Sequence, residues 1–303
     1  MTPLLLGAED VARLLDPAAL LDALADAFAA AARGEVLAPQ RSALELDAER
    51  GLLVMPGHRA GGPVIVKHVG LYDANPARGL PHHPATICAF DAATGALLAV
   101  LDATELTATR TAGAAALSIR LAARPDARVV AVIGAGPVAA AHLRVLPAVL
   151  PGAELRVAAR DPASAAALAA EHGAVAAGVG EAVRGADVVC LCTSATEPVV
   201  APDALAPGTH VSSVGFAPPG GELHPELARS ARLLVETRDA FAPPPAGCAE
   251  LAGLDPGAAA ELGEVLLGAR TARASDDELT VFKSMGTVIE DLAAADVVLR
   301  AAG

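Results

Sequence analysis

Three basic side chains stand in apolar or uncharged surroundings in the first third of the chain. Arg41 follows "LAPQ", Lys67 ends the run "PVIV", and Arg110 lies in "ELTATRTAG". A lysine stripped of water has a lowered pKa and can trade protons near neutrality. An arginine among small residues can grip a carboxylate with two parallel hydrogen bonds. Taken singly, each is read equally well as a surface charge or half of a salt bridge. Lys67 fits that reading least, because a lysine continuing a β-branched run lies either on a sheet edge or facing a cleft. His82 and His83, in "GLPHHPAT", raise the question of a metal. Adjacent strand residues point to opposite faces, and no second cluster has ligand spacing, so no metal is expected.

A second group could hold a cofactor. "RVVAVIGAGPVAAAHLRVL", residues 128–146, places Gly134, Gly136 and Ala139 in the spacing G-x-G-x-x-A. In a chain with 28 glycines and abundant alanine, chance can supply that pattern, so context decides. Here it follows an apolar strand and opens a helix whose first turn carries Pro137, a residue suited to that place. Gly134 would allow the tight turn, Gly136 the approach of a pyrophosphate, and Ala139 close packing of helix on strand. The free N–H groups of the helix start, at Val138 and beyond, would bind the anion. The next strand, "ELRVAAR", ends at Arg160, with Asp161 following. Arg160 can pair with a 2′-phosphate, whereas Asp161 could serve a ribose or simply cap the helix before Pro162. The reading prefers NADP(H) and leaves NAD(H) possible.

The elements that must position these residues fall into two textures. Residues 8–33 read as two helices broken at Pro17, and residues 36–102 as short β runs with a hairpin at "DAATG". An alanine-rich helix follows over about 104–123. From 128 onward, apolar strands without alternation are interleaved with helices, which indicates a parallel sheet covered on both faces. "DELTVFKSMGTVIEDLAAADVVLRAA" reads as an extended piece outside that alternation, running into a long helix that could return to the first domain.

Composition narrows the class. The 303 residues are 53% hydrophobic, with no Trp, one Tyr and five Phe, which implies a core of small residues packed closely. A net charge of −13 and the lack of any basic run argue against nucleic acid or an anionic membrane as partner. No signal peptide or membrane span is read, and Cys88, Cys190, Cys192 and Cys248 are taken as reduced thiols, which points to the cytoplasm.

"MPGH", "VIVKHVGLY", "RGLPHHPATICAFDAATGALLAVLDATELTATRTAGAAALSIRLAAR", "VIGAGPVAAAHL", "VSSVGFAPPGGELHPEL" and "ELGEVLLGARTARASDDELTVFKSMGTVIEDLAAADVV" occur in that order. In these segments the chain resembles the ornithine cyclodeaminase/mu-crystallin family, from about residue 36 to the C-terminus. The resemblance implies an α/β fold: a Rossmann-type doubly wound parallel sheet over 119–287, plus an α+β substrate-binding and dimerisation domain formed by 1–118 and 288–303. It implies a homodimer that takes a small amino- or imino-acid substrate. Arg41 and Arg110 would hold the α-carboxylate, and Lys67 would exchange a proton at the carbonyl or imine. Thr193, Ser194, Val214, Gly215, Ser284 and Gly286 would line the nicotinamide side. The chemistry implied is hydride transfer between NAD(P)H and the C=N or CH–NH bond of a 2-imino carboxylate. Two positions depart from the pattern. Ala217 stands where cyclodeaminases carry an aspartate for the substrate's distal amine, and the nearest acid, Glu222, is given a structural role. His82 stands where relatives commonly carry Thr, which would reshape the pocket or add a titrating group. The alternatives kept are a cyclodeaminase releasing ammonia and a cofactor-dependent binding protein.

Overall fold

A computed structural model describes residues 2–303 and divides the chain into two compact units, residues up to Arg110 with Thr287–Gly303, and Thr111–Gly286. The first unit opens with β1 (Leu4–Leu6), α1 (Ala8–Leu14) and α2 (Pro17–Ala32). The break expected at Pro17 is present: Asp16 caps α2 by accepting from Ala19 N at 2.9 Å, and Pro17 occupies the first turn. Then come β2 (Val36–Leu37), β3 (Ser42–Glu45), β4 (Arg50–Arg59), β5 (Val64–Tyr72), β6 (Ala85–Phe90) and β7 (Leu97–Asp102). They form one sheet in the order β1-β7-β6-β5-β4-β2, with β3 also paired to β4; only β1 with β7 is parallel. Side chains alternate across the sheet, so Leu53 and Met55 of β4, Ile65 and Val69 of β5, and Ile87 and Ala89 of β6 share the buried face.

The division between units falls within α3 (Thr104–Ala122), between Arg110 and Thr111. The second unit alternates strand and helix: β8 (Val129–Ile133), α4 (Pro137–Val145), β9 (Glu154–Ala158), α5 (Pro162–His172), β10 (Val175–Ala176), α6 (Val179–Val183), β11 (Val188–Leu191) and β12 (His210–Ser213). It continues through α7 (Pro225–Ser230), β13 (Arg232–Val235), β14 (Ala260–Glu261), α8 (Leu262–Leu266) and β15 (Thr280–Lys283). The sheet is parallel throughout, in the order β10-β9-β8-β11-β12-β15-β13-β14. Ala131 and Ile133 join the core on one face, and Val130 and Val132 join the core on the other. That two-sided burial is why these strands read as unbroken apolar runs. Strand order reverses between β8 and β11, the crevice where doubly wound sheets bind ligands.

One expectation is corrected. The sequence pattern puts "DELTVFK" outside the alternation, but β15 is inserted between β12 and β13, with all four of its residues buried. Its place is not legible from order along the chain, because β13 and β14 precede it and yet lie further out. The helix that follows, α9 (Val288–Ala302), belongs to the first unit, where it packs on α2 and β4. Gly57 of β4 allows that approach, since a Cβ there would lie 2.7 Å from Val288 Cγ2. No helix among the described residues is long and apolar enough to cross a membrane.

Candidate functional site

In the second unit the glycine motif occupies the end of β8 and the start of α4. Gly134 has φ +134°, and a Cβ there would lie 2.4 Å from Cys192 O, so both the turn and the neighbouring strand end exclude a side chain. At Gly136, by contrast, a Cβ would meet nothing within 4 Å. The open space above Gly136 suits a ligand drawn against the backbone. Gly136 is the N-cap of α4, Pro137 fills its first turn and no side chain caps it, an arrangement whose first N–H groups, from Val138 on, could receive an anion. Ala139 is fully buried against the sheet. Arg160 lies beyond the tip of β9 and is exposed. Asp161 caps α5, accepting from Ala163 N and Ser164 N, each at 3.2 Å. Its carboxylate therefore already has the capping role weighed for it.

The loops that follow β11, β12 and β15 are held from beneath by buried glutamates. Glu222, 1% exposed, takes Thr193 N and Thr193 Oγ1 on Oε2, each at 2.7 Å. Its Oε1 takes Gly215 N at 2.6 Å, Ser213 Oγ at 3.0 Å and Val214 N at 3.1 Å. One carboxylate thus ties two strand-end loops together. Glu236 does the same for the third, accepting from Ser284 Oγ at 2.5 Å, Met285 N at 3.0 Å and Gly286 N at 3.1 Å. Gly286 takes φ +68°, a conformation glycine adopts without strain. Buried Lys283 donates to Gly215 O at 2.7 Å and to Glu250 at 3.0 Å, closing the network. The hydroxyls of Thr193 and Ser284 are therefore directed at glutamates of the protein. Ala217 lies in the half-buried loop after β12.

In the first unit, Lys67 lies on the inward face of β5, opposite Met55 on one side and Ile87 on the other. β5 is an inner strand, so of the two placements open to Lys67 the edge is ruled out. Its ammonium, 0% exposed, donates to Asp291 Oδ1 at 2.6 Å. Arg110 reaches the same oxygen through Nε at 3.1 Å and Glu290 Oε2 through Nη1 at 2.5 Å. The salt-bridge reading thus holds for Lys67 and Arg110 as a geometric fact, but with buried partners on α9 rather than at the surface. Burial, and then the Arg110 charge, bring the Lys67 pKa down to about 8, against the pull of Asp291. Burial pushes Asp291 upward, yet Lys67 and Arg110 together hold it below the usual carboxylate range. Asp291 Oδ2 is buried and accepts no hydrogen bond. Arg41 lies half-buried just before β3. His82 is placed away from that cluster's contacts, its Nε2 lying 2.9 Å from Asp73 Oδ1 at a partly exposed position.

Sequence reasoning did not single out Glu290, Asp291, Glu236 or Lys283. For the first two a signal existed: "VIEDLAAA" sets two adjacent acids inside an otherwise apolar helical run. Lys283 in "TVFKS" repeats the pattern that drew notice to Lys67, a lysine ending a β run.

The chain is 36% identical over 306 residues to the ketimine reductase mu-crystallin of Mus musculus, covering 98% of this chain and 96% of that one. Its structure matches a Thermococcus litoralis Δ1-pyrroline-2-carboxylate reductase, solved with NADH and L-proline, at a TM-score of 0.90 and 29% identity, covering 99% of this chain and 97% of that one. An archaeal alanine dehydrogenase dimer with bound NAD matches at 0.90 and 29%, covering 100% and 96%. The ornithine cyclodeaminase/mu-crystallin family model matches residues 1–302, and the chain belongs to the ornithine cyclodeaminase/mu-crystallin family.

Proposed function

We propose that the protein is an NAD(P)H-dependent oxidoreductase that reduces the C=N bond of a 2-imino carboxylate to give an amino acid. The observation that carries this reading is Lys67, a fully buried lysine on an inner strand whose pKa falls to about 8. Such a group gives up a proton near neutrality, which imine reduction requires at nitrogen. NAD(P)H, when bound, supplies the hydride to carbon. Gly134, Gly136, Val138 and the loops at Thr193, Gly215 and Ser284–Gly286 would hold it. Arg41 and Arg110 would orient the substrate carboxylate, Lys67 would protonate the nitrogen, and solvent would then restore its proton.

Arg160 supports a preference for NADP(H), because the exposed guanidinium is free of the capping task that Asp161 performs. Ala217 supports a substrate without a distal ammonium, since a methyl group there offers no base for cyclisation. A chain with no Trp, one Tyr and five Phe has little with which to line an aromatic-hormone pocket, which speaks against a pure binding role. The reading includes a homodimer formed through the first unit. Four free cysteines fit a reducing compartment such as the cytoplasm.

The test is NADPH and NADH oxidation with Δ1-pyrroline-2-carboxylate, Δ1-piperideine-2-carboxylate, and pyruvate with ammonia or methylamine. Turnover of at least one imine carboxylate is expected. Cofactor binding without turnover of any of them would overturn the proposal. Ammonia release from ornithine or lysine without net NADH would transfer it to cyclodeaminase chemistry.

A further inference from the structure

The buried charges of the first unit balance before any substrate arrives. Lys67 and Arg110 supply two positive charges, and Glu290 and Asp291 two negative ones, with side-chain exposures of 0, 7, 0 and 0%. The carboxylates are neighbours on α9, the helix that ends the chain, while the cations come from β5 and α3. Asp291 Oδ1 receives both Lys67 and Arg110, and Glu290 Oε2 receives Arg110. The contact from Lys67 to Asp291, at 2.6 Å, is charge-assisted and fixes the ammonium along one direction. We propose that Asp291 is the positioning residue of the reaction, keeping Lys67 charged and aimed as the proton donor. This rests on the reading of Lys67 as that donor.

The physical reason is the lack of water. An ammonium in this position has lost its hydration, and Arg110 adds like-charge repulsion, so both effects favour the neutral amine. A neutral amine cannot protonate an imine nitrogen. Asp291 and, at greater remove, Glu290 are the groups that oppose this; His83, held low by burial and then by His82, is a further titratable group that feels the Lys67 charge. A substrate carboxylate entering the cluster would add a third negative charge. That charge makes the protonated lysine more favourable at the moment a proton donor is needed.

The experiment compares pH profiles of kcat/KM for wild type, Asp291→Asn, Asp291→Glu and Lys67→Met with NADPH and a cyclic imine carboxylate. In wild type, activity should fall as pH rises through the Lys67 pKa, near 8. Losing the Asp291 charge should carry that limb to lower pH by about 1–3 units, with activity partly recovered in acid. Asp291→Glu keeps the charge but moves it by a methylene, so its limb should stay near the wild-type position while kcat falls. A merely structural role would lower activity or stability without moving the limb. A wild-type limb in a folded Asp291→Asn enzyme would overturn the inference. If Asp291→Asn does not fold, an unchanged kcat in Asp291→Glu would overturn it instead. Lys67→Met separates the two claims: retained activity with an unchanged limb would sink the reading of Lys67 itself, and its loss leaves Asp291 to be judged on its own variants.

Discussion

Replacing Glu222 by glutamine tests how far the cofactor loops depend on one buried carboxylate. Every group around Glu222 is a donor: Thr193 N and Oγ1 on Oε2, and Ser213 Oγ, Val214 N and Gly215 N on Oε1. A glutamine has one acceptor oxygen and one NH2. If its oxygen replaces Oε1, the NH2 faces Thr193 N; if it replaces Oε2, the NH2 faces Gly215 N. Either orientation sets a donor against a buried backbone N–H, at a cost of about 1–3 kcal/mol. Hydrogen bonds to a neutral amide are also weaker than those to a carboxylate, by about 1 kcal/mol each. Retained burial and the smaller desolvation cost of the amide offset part of this, leaving roughly 2–4 kcal/mol. If about 2 kcal/mol of that must be recovered by reordering the loops on binding, the cofactor Kd rises about thirtyfold. Fluorescence titration with NADPH and NADH measures it, with thermal unfolding run in parallel. A Glu222→Gln protein with wild-type Kd and wild-type Tm would refute the argument that this carboxylate holds the loops.

Gly134→Ala should abolish cofactor binding, because the new Cβ would lie 2.4 Å from the backbone oxygen of Cys192 at φ +134°. The check is again a fluorescence titration, and binding within tenfold of wild type would contradict the cradle. Arg160→Ala should lower kcat/KM with NADPH by roughly 10–100-fold, the worth of a charge-assisted contact, and leave NADH within about twofold, as read from initial rates with each cofactor.

Much of the architecture was legible because its signals are local. Pro17 breaks the first helical stretch, "DAATG" closes a hairpin, and "RVVAVIGAGP" joins an apolar strand to a proline-opened helix. Each depends on neighbours within a few residues. The partners of the proposed site were not legible for the opposite reason. Lys67 and Asp291 are 224 positions apart, and periodicity assigns a residue to a face without saying what that face meets. The insertion of β15 between β12 and β13 failed to show for the same cause, since chain order does not dictate spatial order in a crossover sheet. Lys67 itself was half-legible. Its β-branched run made burial conceivable, and only the pairing of β5 on both sides removed the edge alternative.

The distribution of buried charge in the second unit argues for where its chemistry lies. Burying a carboxylate costs desolvation that its hydrogen bonds at best offset, so a cluster of buried carboxylates calls for a reason other than stability. At the amino ends of the strands, ion pairs are part-exposed: Asp187 before β11 is 18% exposed and Glu278 before β15 is 24%. Beneath the carboxyl-end loops the carboxylates are buried, with Glu222 at 1%, Glu236 at 3% and the side chain of Glu250, which pairs with Lys283, at 4%. All three acids spend their oxygens on backbone N–H groups, hydroxyls or Lys283 at those strand ends. Carboxyl ends are where open α/β sheets bind ligands, and loops there tend to be mobile unless something fixes them. The fold thus carries this desolvation cost at the edge where an open α/β sheet offers its loops to a ligand, and leaves the opposite edge to part-exposed surface pairs.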